Sequence, residues 1–465
     1  MTTKNLLTYN AKVAQIEQAF YAPVSIISGQ TKVINTTYCF LSYILPYSIN
    51  DNTVEVPEQS QSYIKKIFKN IFVAKKIHSN DISAVIHRVN WVEDTIYDVY
   101  SDTIDILDKD ANGHNTYNFY IKNKFDQVFK CLSNNAHLVD GVPVGQVSSV
   151  EPYFQPGTYQ TNNIFQGVDN YKWKYIYSID AGTKIKFMDS TWMPIPIGNN
   201  RLNPTVSPLG YGGIEVINVI YGGSGYNPTT TIGVHIDGDG TGATAIVTLD
   251  GDVIKDIIVT NPGTNYTYAT VSLITDVNYP ASSTAILEIP ISPIGGHGFD
   301  PISELGTNNI MYTVEFNGSE DGMVPTDIDY RQIGLIVNPI SSLTSPDTAD
   351  ADIYKTSTDF LVAGGAGIYT SDERIYQGTR ENPTFQGTML SFNTSSDIIN
   401  IIPIKGTPKL NAPVFGEDSG CVRTLLSVNY PSFLIESGYL TYIENRPVIT
   451  RSMDGIEQFK FVLSY

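Results

Sequence analysis

Residues with catalytic or metal-binding potential are scattered along the chain rather than gathered into motifs. No two of the six histidines stand at the i, i+4 spacing of a helical zinc site. Cys39, Cys131 and Cys421 lie too far apart in the sequence to predict a zinc site or a disulfide framework. No Lys-Ser/Thr follows the glycine-rich stretch 222–225, so it does not match a phosphate-binding loop. We therefore predict no metal, no cofactor and no catalytic residues: a protein that is not an enzyme.

Two carboxylates could still cleave a glycosidic bond, because their separation is a three-dimensional property. The candidates by proximity are Glu315, Glu320, Asp321, Asp327 and Asp329. The chain carries a net charge of −18, and surface acids are the expected interpretation of this cluster. A glycan-cleaving enzyme remains an alternative that turnover of host polysaccharide would reveal.

An aromatic run at 171–177 invites a nucleic-acid interpretation. Tyr171, Trp173, Tyr175 and Tyr177 alternate with Lys172, Lys174 and Ile176. Such a stripe could stack single-stranded bases, or it could form a cross-strand aromatic ladder on a core. The strongly negative net charge favours the core and argues against nucleic acid as a partner.

The composition indicates a folded protein with large contact surfaces. The 465 residues include 30 tyrosines, a side chain enriched at protein interfaces, and only 16% charged residues. The sequence has no signal-peptide pattern at its start and no apolar run approaching a membrane span. We expect folding in a reducing cytoplasm and no membrane insertion.

The elements that must position these residues are mostly strands. Helical periodicity is clearest at 11–21 and 60–74. The apolar, aromatic run at 37–47 indicates a strand, and 117–132 alternates as paired strands do. We predict a mainly β fold with a few helices (α+β), in several domains of antiparallel sheets or sandwiches. The predicted divisions are an N-terminal α+β part of the core (1–130), a β domain with the aromatic strand (131–205), an inserted β module (206–295), a return to the core (296–340), a linker with an inserted small barrel or sandwich (341–430) and C-terminal core strands (431–465).

The inserted module contains an internal repeat. Residues 214–246 recur at a constant offset as 254–286, with Tyr226 and Tyr266 in equivalent glycine-rich turns. Each tyrosine would anchor its turn, or face a glycan in a carbohydrate-binding protein. Asp237 and Asp239 stand in an Asp-Gly-Asp-Gly run, but a calcium loop needs further acidic positions, so a plain turn is predicted.

The C-terminal stretch reads as two strands around a proline. Pro447 fits a strand edge, and Phe459, Phe461 and Leu463 alternate with Lys460, Val462 and Ser464. We expect these three side chains to be buried in a core that also receives 330–337.

This stretch, from Tyr442-Ile443-Glu444-Asn445-Arg446-Pro447 through Met453-Asp454 to the final strand, resembles the C-terminus of the dimeric baseplate wedge subunit of T-even-like contractile-tailed bacteriophages. Similar blocks follow the same order elsewhere: His87 to Trp91, Asp169 to Ile179, and Arg331-Gln332-Ile333 with Asn338-Pro339. The resemblance covers about 1–200, 296–340 and 432–465, whereas 214–293 and 341–430 depart from it. The signature residues it marks as interface or structural positions are Trp91, Tyr171, Trp173, Tyr175, Arg331, Glu444, Asn445, Arg446 and Pro447.

The resemblance implies a structural virion protein in the tail baseplate, assembled in the host cytoplasm. Such a subunit would form a homodimer and contact neighbouring wedge proteins and fibre-attachment proteins. It would take part in the baseplate rearrangement that triggers sheath contraction. A carbohydrate-binding tail adhesin that uses Tyr226 and Tyr266 is the alternative.

Overall fold

A computed structural model describes most of the chain beyond residue 52. The described residues are 53–110, 116–155, 163–196, 212–275, 280–326, 328–341, 348–431, 434 and 436–464, with shorter pieces between 11 and 50. The chain divides into two compact units. Unit 1 comprises Met1–Ile16, Ser83–Met311 and Val462–Tyr465, and unit 2 comprises Glu17–Ile82 and Tyr312–Phe461. The helix predicted at 11–21 lies almost entirely outside the described residues.

Strands dominate the described residues, which confirms the prediction of a mainly β fold with antiparallel sheets. The helices are α1 (Gln61–Asn70), α2 (Ala181–Phe187) and α3 (Pro301–Leu305). The strands before the repeat module are β1 (Val24–Ile27), β2 (Gln30–Val33), β3 (Thr37–Ser42), β4 (Ile71–Ile77), β5 (Ile82–His87), β6 (Tyr120–Lys122), β7 (Gln127–Ser133), β8 (His137–Val139), β9 (Val142–Val144), β10 (Ile164–Gln166), β11 (Lys172–Ser178) and β12 (Trp192–Ile195).

Unit 1 contains a four-stranded sheet in the order β10-β11-β7-β6, the hairpin β8–β9 and the pair β5–β12. Its sheet core gathers Tyr97, Phe129, Cys131, Tyr171 and Trp173. The strands predicted within 117–132 are confirmed as β6 and the first part of β7. The cysteines of the described residues are free and buried.

The repeat module also belongs to unit 1. Its strands are β13 (Asn218–Tyr221), β14 (Gly233–Gly238), β15 (Thr241–Asp250), β16 (Val253–Thr264), β17 (Ala269–Ile274) and β18 (Ile286–Glu288). The ladders pair β13 with β18, β14 with β17 and β15 with β16. Every ladder among the described residues of the module therefore joins the first copy to the second.

The two copies are related by an internal dyad. The pair Val234–Leu273 is the image, at the offset of the repeat, of the pair Gly233–Ile274. Backbone hydrogen bonds repeat in the same way: Ile254 N donates to Gly222 O, and Ile214 N donates to Pro262 O. The copies complete each other's sheets instead of stacking as separate units.

Unit 2 combines an open sheet with a closed barrel. The remaining strands are β19 (Asn309–Asn317), β20 (Asp329–Val337), β21 (Ile353–Lys355), β22 (Thr358–Ala363), β23 (Arg374–Gly378), β24 (Pro383–Asn393), β25 (Ile398–Gly406), β26 (Pro413–Gly416), β27 (Val422–Asn429), β28 (Tyr439–Thr450) and β29 (Ile456–Ser464). The open sheet has the order β21-β4-β3-β20-β28, and the barrel has the order β22-β25-β24-β23-β26-β27. The apolar core of the barrel includes Phe360, Phe385, Ile399 and Leu425.

Helix α1 is shorter than its sequence pattern predicted. Ser60 caps its first turn by accepting a hydrogen bond from Tyr63 N, and Ile67 and Phe68 are buried on one face. The predicted helix continued to residue 74, but the chain turns into β4 at Ile71. The run from Ile71 to Val73 favours a strand, and pairing with β3 satisfies its backbone groups.

Candidate functional site

The signature residues of the aromatic strand lie inside unit 1. Tyr171 and Trp173 are fully buried, Tyr175 is half-buried, and the Tyr171 and Trp173 rings stack with centroids 5.5 Å apart. Trp91 packs against the same cluster and donates from Nε1 to Ser148 Oγ at 3.0 Å. Buried rings cannot stack on bases, so the interpretation as core packing is confirmed.

Strict alternation predicted that Tyr177 lies on the same face of the sheet as Tyr171, Trp173 and Tyr175. The structure places it on the other face. The register against β7 slips between Tyr175 and Tyr177, which opposes Tyr177 to Val128. A β-bulge of this kind moves the following side chain to the other face of the sheet. Tyr177 instead donates a hydrogen bond to Pro194 O at 3.0 Å.

The lysines of β11 form ion pairs within unit 1. Lys174 Nζ lies 2.6 Å from Glu215 Oε2, and both side chains are buried. Lys172 Nζ lies 2.7 Å from Asp256 Oδ1 in the repeat module. These lysines therefore join the sheet to the repeat module, and their charges are paired within the protein and not available to an external anion.

A buried charged cluster that the sequence did not reveal lies beside this sheet. Lys130 Nζ is 3.1 Å from Glu304 Oε1, and His297 Nδ1 is 2.7 Å from the same oxygen. Gly298 N donates to the second carboxylate oxygen at 2.5 Å, and Lys130 Nζ lies 3.6 Å from the centre of the Tyr100 ring. The only sequence signal was His297 among glycines, which resembles any surface turn.

The buried charges of Lys130 and Glu304 stabilise each other, which offsets part of the cost of their burial. Burial acts to raise the pKa of Glu304, but the charge of Lys130 and the hydrogen bond from His297 outweigh it and hold the pKa at about 2. Burial and the neighbouring Lys130 charge lower the pKa of His297. Burial also lowers the pKa of Lys130, against the attraction of Glu304. Both oxygens of Glu304 are engaged by protein donors, which is the arrangement of a structural ion cluster.

A cavity of about 670 Å³ opens beside this cluster within unit 1. Lys130 and Glu304 contribute to its lining, together with Tyr100 and Tyr266. Asp102 and Asp105 add carboxylates to the wall. Its volume is that of a small-molecule cleft.

The prediction that Tyr226 and Tyr266 present their faces to a glycan is wrong. Tyr226 is 2% exposed, and its hydroxyl oxygen accepts a hydrogen bond from Ala285 N at 2.9 Å. Tyr266 is 5% exposed, and its oxygen accepts from Ala243 N at 3.3 Å. Each ring crosses to the other copy of the repeat and anchors its turn there, which leaves at most an edge of Tyr266 in the cavity.

The Asp-Gly-Asp-Gly run ends strand β14 at Gly238 and bends at Asp239 and Gly240. Asp239 accepts hydrogen bonds from Thr267 N at 2.8 Å and from the Thr267 hydroxyl at 2.5 Å, and these bonds lower its pKa. Asp237 lies in β14 opposite Thr270. In the described part of the chain, no group of three His, Cys, Asp or Glu side chains is placed to hold a metal ion.

Two of the five acids considered for glycan cleavage, Glu320 and Asp329, have separate partners. Glu320 pairs with Lys75 at 2.7 Å, and Asp329 accepts from the Thr450 hydroxyl at 2.5 Å. Glu315 and Asp321 are exposed. Asp327 lies outside the described residues.

The signature residues near the C-terminus meet in the open sheet of unit 2. Gln332 opposes Asn445 in the ladder between β20 and β28, and Gln332 Nε2 donates to Asn445 Oδ1 at 2.8 Å. Asn445 in turn donates to Glu55 O at 2.8 Å and to the Tyr63 hydroxyl at 3.1 Å. One polar network thus joins two distant parts of the sequence to α1.

A bulge accommodates Pro447 in the edge strand β28. The register slips between Tyr330 and Gln332, so residues 446–448 oppose Arg331 alone. The Tyr47 hydroxyl lies 3.1 Å from Arg331 O and 2.7 Å from Arg446 O in this gap. The Arg331 side chain is buried, and Arg446 Nε lies 2.8 Å from Glu444 Oε1.

The burial predicted for the last strand is confirmed for two of three side chains. Phe459 and Phe461 are 4% and 2% exposed, and the Phe459 and Tyr330 rings make an edge contact with centroids 6.4 Å apart. Leu463 is half-buried. The core shared with 330–337 is therefore formed by the phenylalanines.

A second cavity lies in unit 2, in a groove of about 650 Å³ between α1 and the barrel. Lys65, Lys66 and Lys69 line it from the helix, and Arg374 and Ile404 line it from the barrel. We call it the basic groove.

Comparison of the sequence with known protein families found no match. Comparison with curated proteins found none either. None of the helices in the described part of the chain has the length and hydropathy needed to cross a membrane.

Proposed function

We propose that the protein is a structural subunit of the baseplate wedge of a contractile phage tail. In this role it forms a homodimer, links neighbouring wedge and fibre-attachment proteins, and takes part in the rearrangement that triggers sheath contraction. It acts by binding and not by catalysis. The proposal rests on the colinear resemblance of its sequence blocks to that family.

One structural observation supports the proposal most strongly. Two signature blocks, at 331–333 and 444–447, are separated by more than a hundred residues, yet they lie on neighbouring strands and share the hydrogen bond between Gln332 and Asn445. Residues that resemble a family pattern at separate places in the sequence thus form one structural element. Chance similarity in short blocks would not require them to meet.

The edge position of β28 is consistent with a role in assembly. This strand of 12 residues ends the open sheet, and its outer side has no strand partner among the described residues. Long edge strands present N–H and C=O groups that another chain can pair with. Tyr439 at its start is 73% exposed, so an apolar ring is available beside this edge.

Light scattering of the purified chain and of chain co-expressed with neighbouring tail proteins tests the proposal. We expect about twice the 51.2 kDa mass of the monomer, and co-purification with the other wedge components. Tyr439→Lys should weaken assembly, because a lysine at a sheet edge opposes pairing. Val168→Lys is the matched control, since Val168 is 91% exposed in unit 1. A monomer that co-assembles with no tail protein would refute the proposal.

The carbohydrate-binding adhesin remains the second candidate, and the cavity in unit 1 favours it. Its wall places Tyr100 and only an edge of Tyr266 beside the carboxylates of Asp102 and Asp105, and these carboxylates are suited to sugar hydroxyl groups. Glycan-array binding that Asp102→Asn and Asp105→Asn abolish would support this function. An array without signal would exclude the glycans tested.

A further inference from the structure

We infer that the basic groove binds an acidic segment of a partner protein. Carboxylates of that segment pair with Lys65, Lys66 and Lys69, and an apolar side chain of the segment rests on Ile404. The inference extends beyond the proposed function, since it assigns a recognition chemistry to a surface that the family resemblance does not mark.

The charge of the groove is the first argument. The chain as a whole carries −18, yet three lysines project from one face of the ten-residue helix α1. Each is exposed, and no carboxylate pairs with Lys65, Lys66 or Lys69 among the described residues. Elsewhere in unit 2, Lys75 and Lys355 have acidic partners at 2.7 Å. Among the described residues that line the groove, Asp372 is the single acid against three lysines and Arg374. The groove therefore keeps a net positive charge that an anionic ligand would neutralise.

The spacing of the lysines is unfavourable for the isolated helix. Lys65 and Lys69 stand at i, i+4, and Lys66 and Lys69 stand at i, i+3, where like charges repel. The position of Lys69 in the last turn compensates in part, because a cation there favours the helix dipole. The burial of Ile67 and Phe68 explains the helix but not the lysines.

The apolar floor points to a protein segment and not to a nucleic acid. Ile404 is 51% exposed at the surface of the barrel. Among the described residues that line the groove, none is aromatic, so it offers no platform on which bases could stack. A peptide with apolar and acidic side chains could contact Ile404 on the barrel side and the three lysines on the helix side of the groove.

The barrel also determines how the segment is held. Its six strands close on one another, so the floor of the groove has no free strand edge for backbone pairing. Binding therefore depends on side chains, and substitution of the lysines removes it without disturbing the ladders.

Fluorescence anisotropy with the full chain tests the inference. The probe is a fluorescein-labelled acidic peptide of about ten residues with leucines between aspartates and glutamates, and a second probe replaces the acids by their amides. We expect saturable binding of the acidic probe alone, weakened by raising the salt from about 0.05 to 0.5 M. The variant Lys65→Glu/Lys66→Glu/Lys69→Glu should weaken binding at least about tenfold.

The chain offers a control with the same change in net charge. Lys255, Lys405 and Lys409 are exposed outside the groove, and their replacement by Glu should change the affinity less than about threefold. Replacement of Lys65, Lys66 and Lys69 by Gln tests the same point if the Glu variant fails to fold. Folding is checked by circular dichroism.

Four results of the binding assay overturn the inference. They are absence of binding, equal losses in the two charge-reversed variants, equal binding of the amide probe, and tighter binding of a labelled oligothymidine used as a third probe. A dimer of the chain that dissociates in the groove variant would identify a second copy as the occupant and would also overturn it. Loss of wedge assembly with intact peptide binding would instead count against the proposed function alone.

Discussion

Substitution of Lys130 should destabilise unit 1 more than substitution of any exposed charged residue in that unit. Lys130→Met deletes the ammonium group that lies 3.1 Å from Glu304 and leaves this buried carboxylate with His297 and Gly298 N. Breaking one side of a buried pair typically costs about 3–5 kcal/mol, because the remaining charge loses its compensation. We expect a loss of this size in the free energy of unfolding of unit 1.

A second substitution should recover part of the loss. Lys130→Met with Glu304→Gln removes both charges, and the amide oxygen can still accept from Gly298 N. The double variant should be at least about 2 kcal/mol more stable than Lys130→Met. The control is Lys124→Met, whose pair with Glu151 is exposed on the lysine side, and which should cost less than about 1 kcal/mol.

Tryptophan fluorescence follows this unit selectively. The chain has 3 tryptophans, Trp91, Trp173 and Trp192, and all belong to unit 1. Urea unfolding monitored by their emission therefore reports on the part of the chain that holds the cluster. A loss below about 1 kcal/mol in Lys130→Met, or a double variant less stable than the single one, would refute the compensation argument.

Acid should weaken the same unit. The pKa of Glu304 is about 2 in the folded chain against a usual 4.5, so its stabilisation is present above pH 4.5 and is lost as the pH falls towards 2. The lowered pKa of His297 acts in the same direction, since its protonation below pH 6.5 favours the unfolded chain. The urea midpoint should fall between pH 7 and pH 4, and the difference between the wild type and Glu304→Gln should shrink below pH 4.5. A difference independent of pH would contradict this assignment.

Three further predictions concern packing and turns. Phe459→Ala should destabilise unit 2 by about 3–5 kcal/mol, because Phe459 is 4% exposed, and hydrogen exchange in β28 and β29 should show it. Gly263→Ala should cost more than Gly251→Ala in urea unfolding: both have positive φ, but a Cβ at Gly263 would lie 2.5 Å from Ala243 N, whereas Gly251 faces open space. Millimolar Ca²⁺ should leave the melting temperature unchanged, because Thr267 occupies the oxygens of Asp239, and a clear rise would contradict the turn interpretation.

The sequence predicted the architecture where periodicity decides it. Alternation identified the strands around 120–132 and 330–337, and the constant offset identified the repeat. It did not predict that strands of one copy pair with strands of the other, because a constant offset records similarity and not pairing. The end of α1 was also missed, since Ile71 to Ala74 continues a helical pattern that only the ladder with β3 overrides.

Charged residues were the least predictable part of the candidate sites. Lys130, Lys174 and Glu304 look like surface residues in the sequence, yet each is buried beside an opposite charge far away in the chain. The basic groove was missed for a related reason. The helical pattern puts Lys65, Lys66 and Lys69 away from the apolar face of the helix, and only the fold brings the barrel opposite them.

The pairing of strands between the two copies of the repeat determines how the stability of the module depends on protein concentration. A single copy could close its ladders only by finding another, as a homodimer does, and its stability would then fall on dilution. Covalent connection makes this encounter intramolecular, at an effective concentration in the millimolar range for a short linker. The repeat module therefore resembles a homodimer whose two halves are covalently linked, and its stability should not depend on protein concentration.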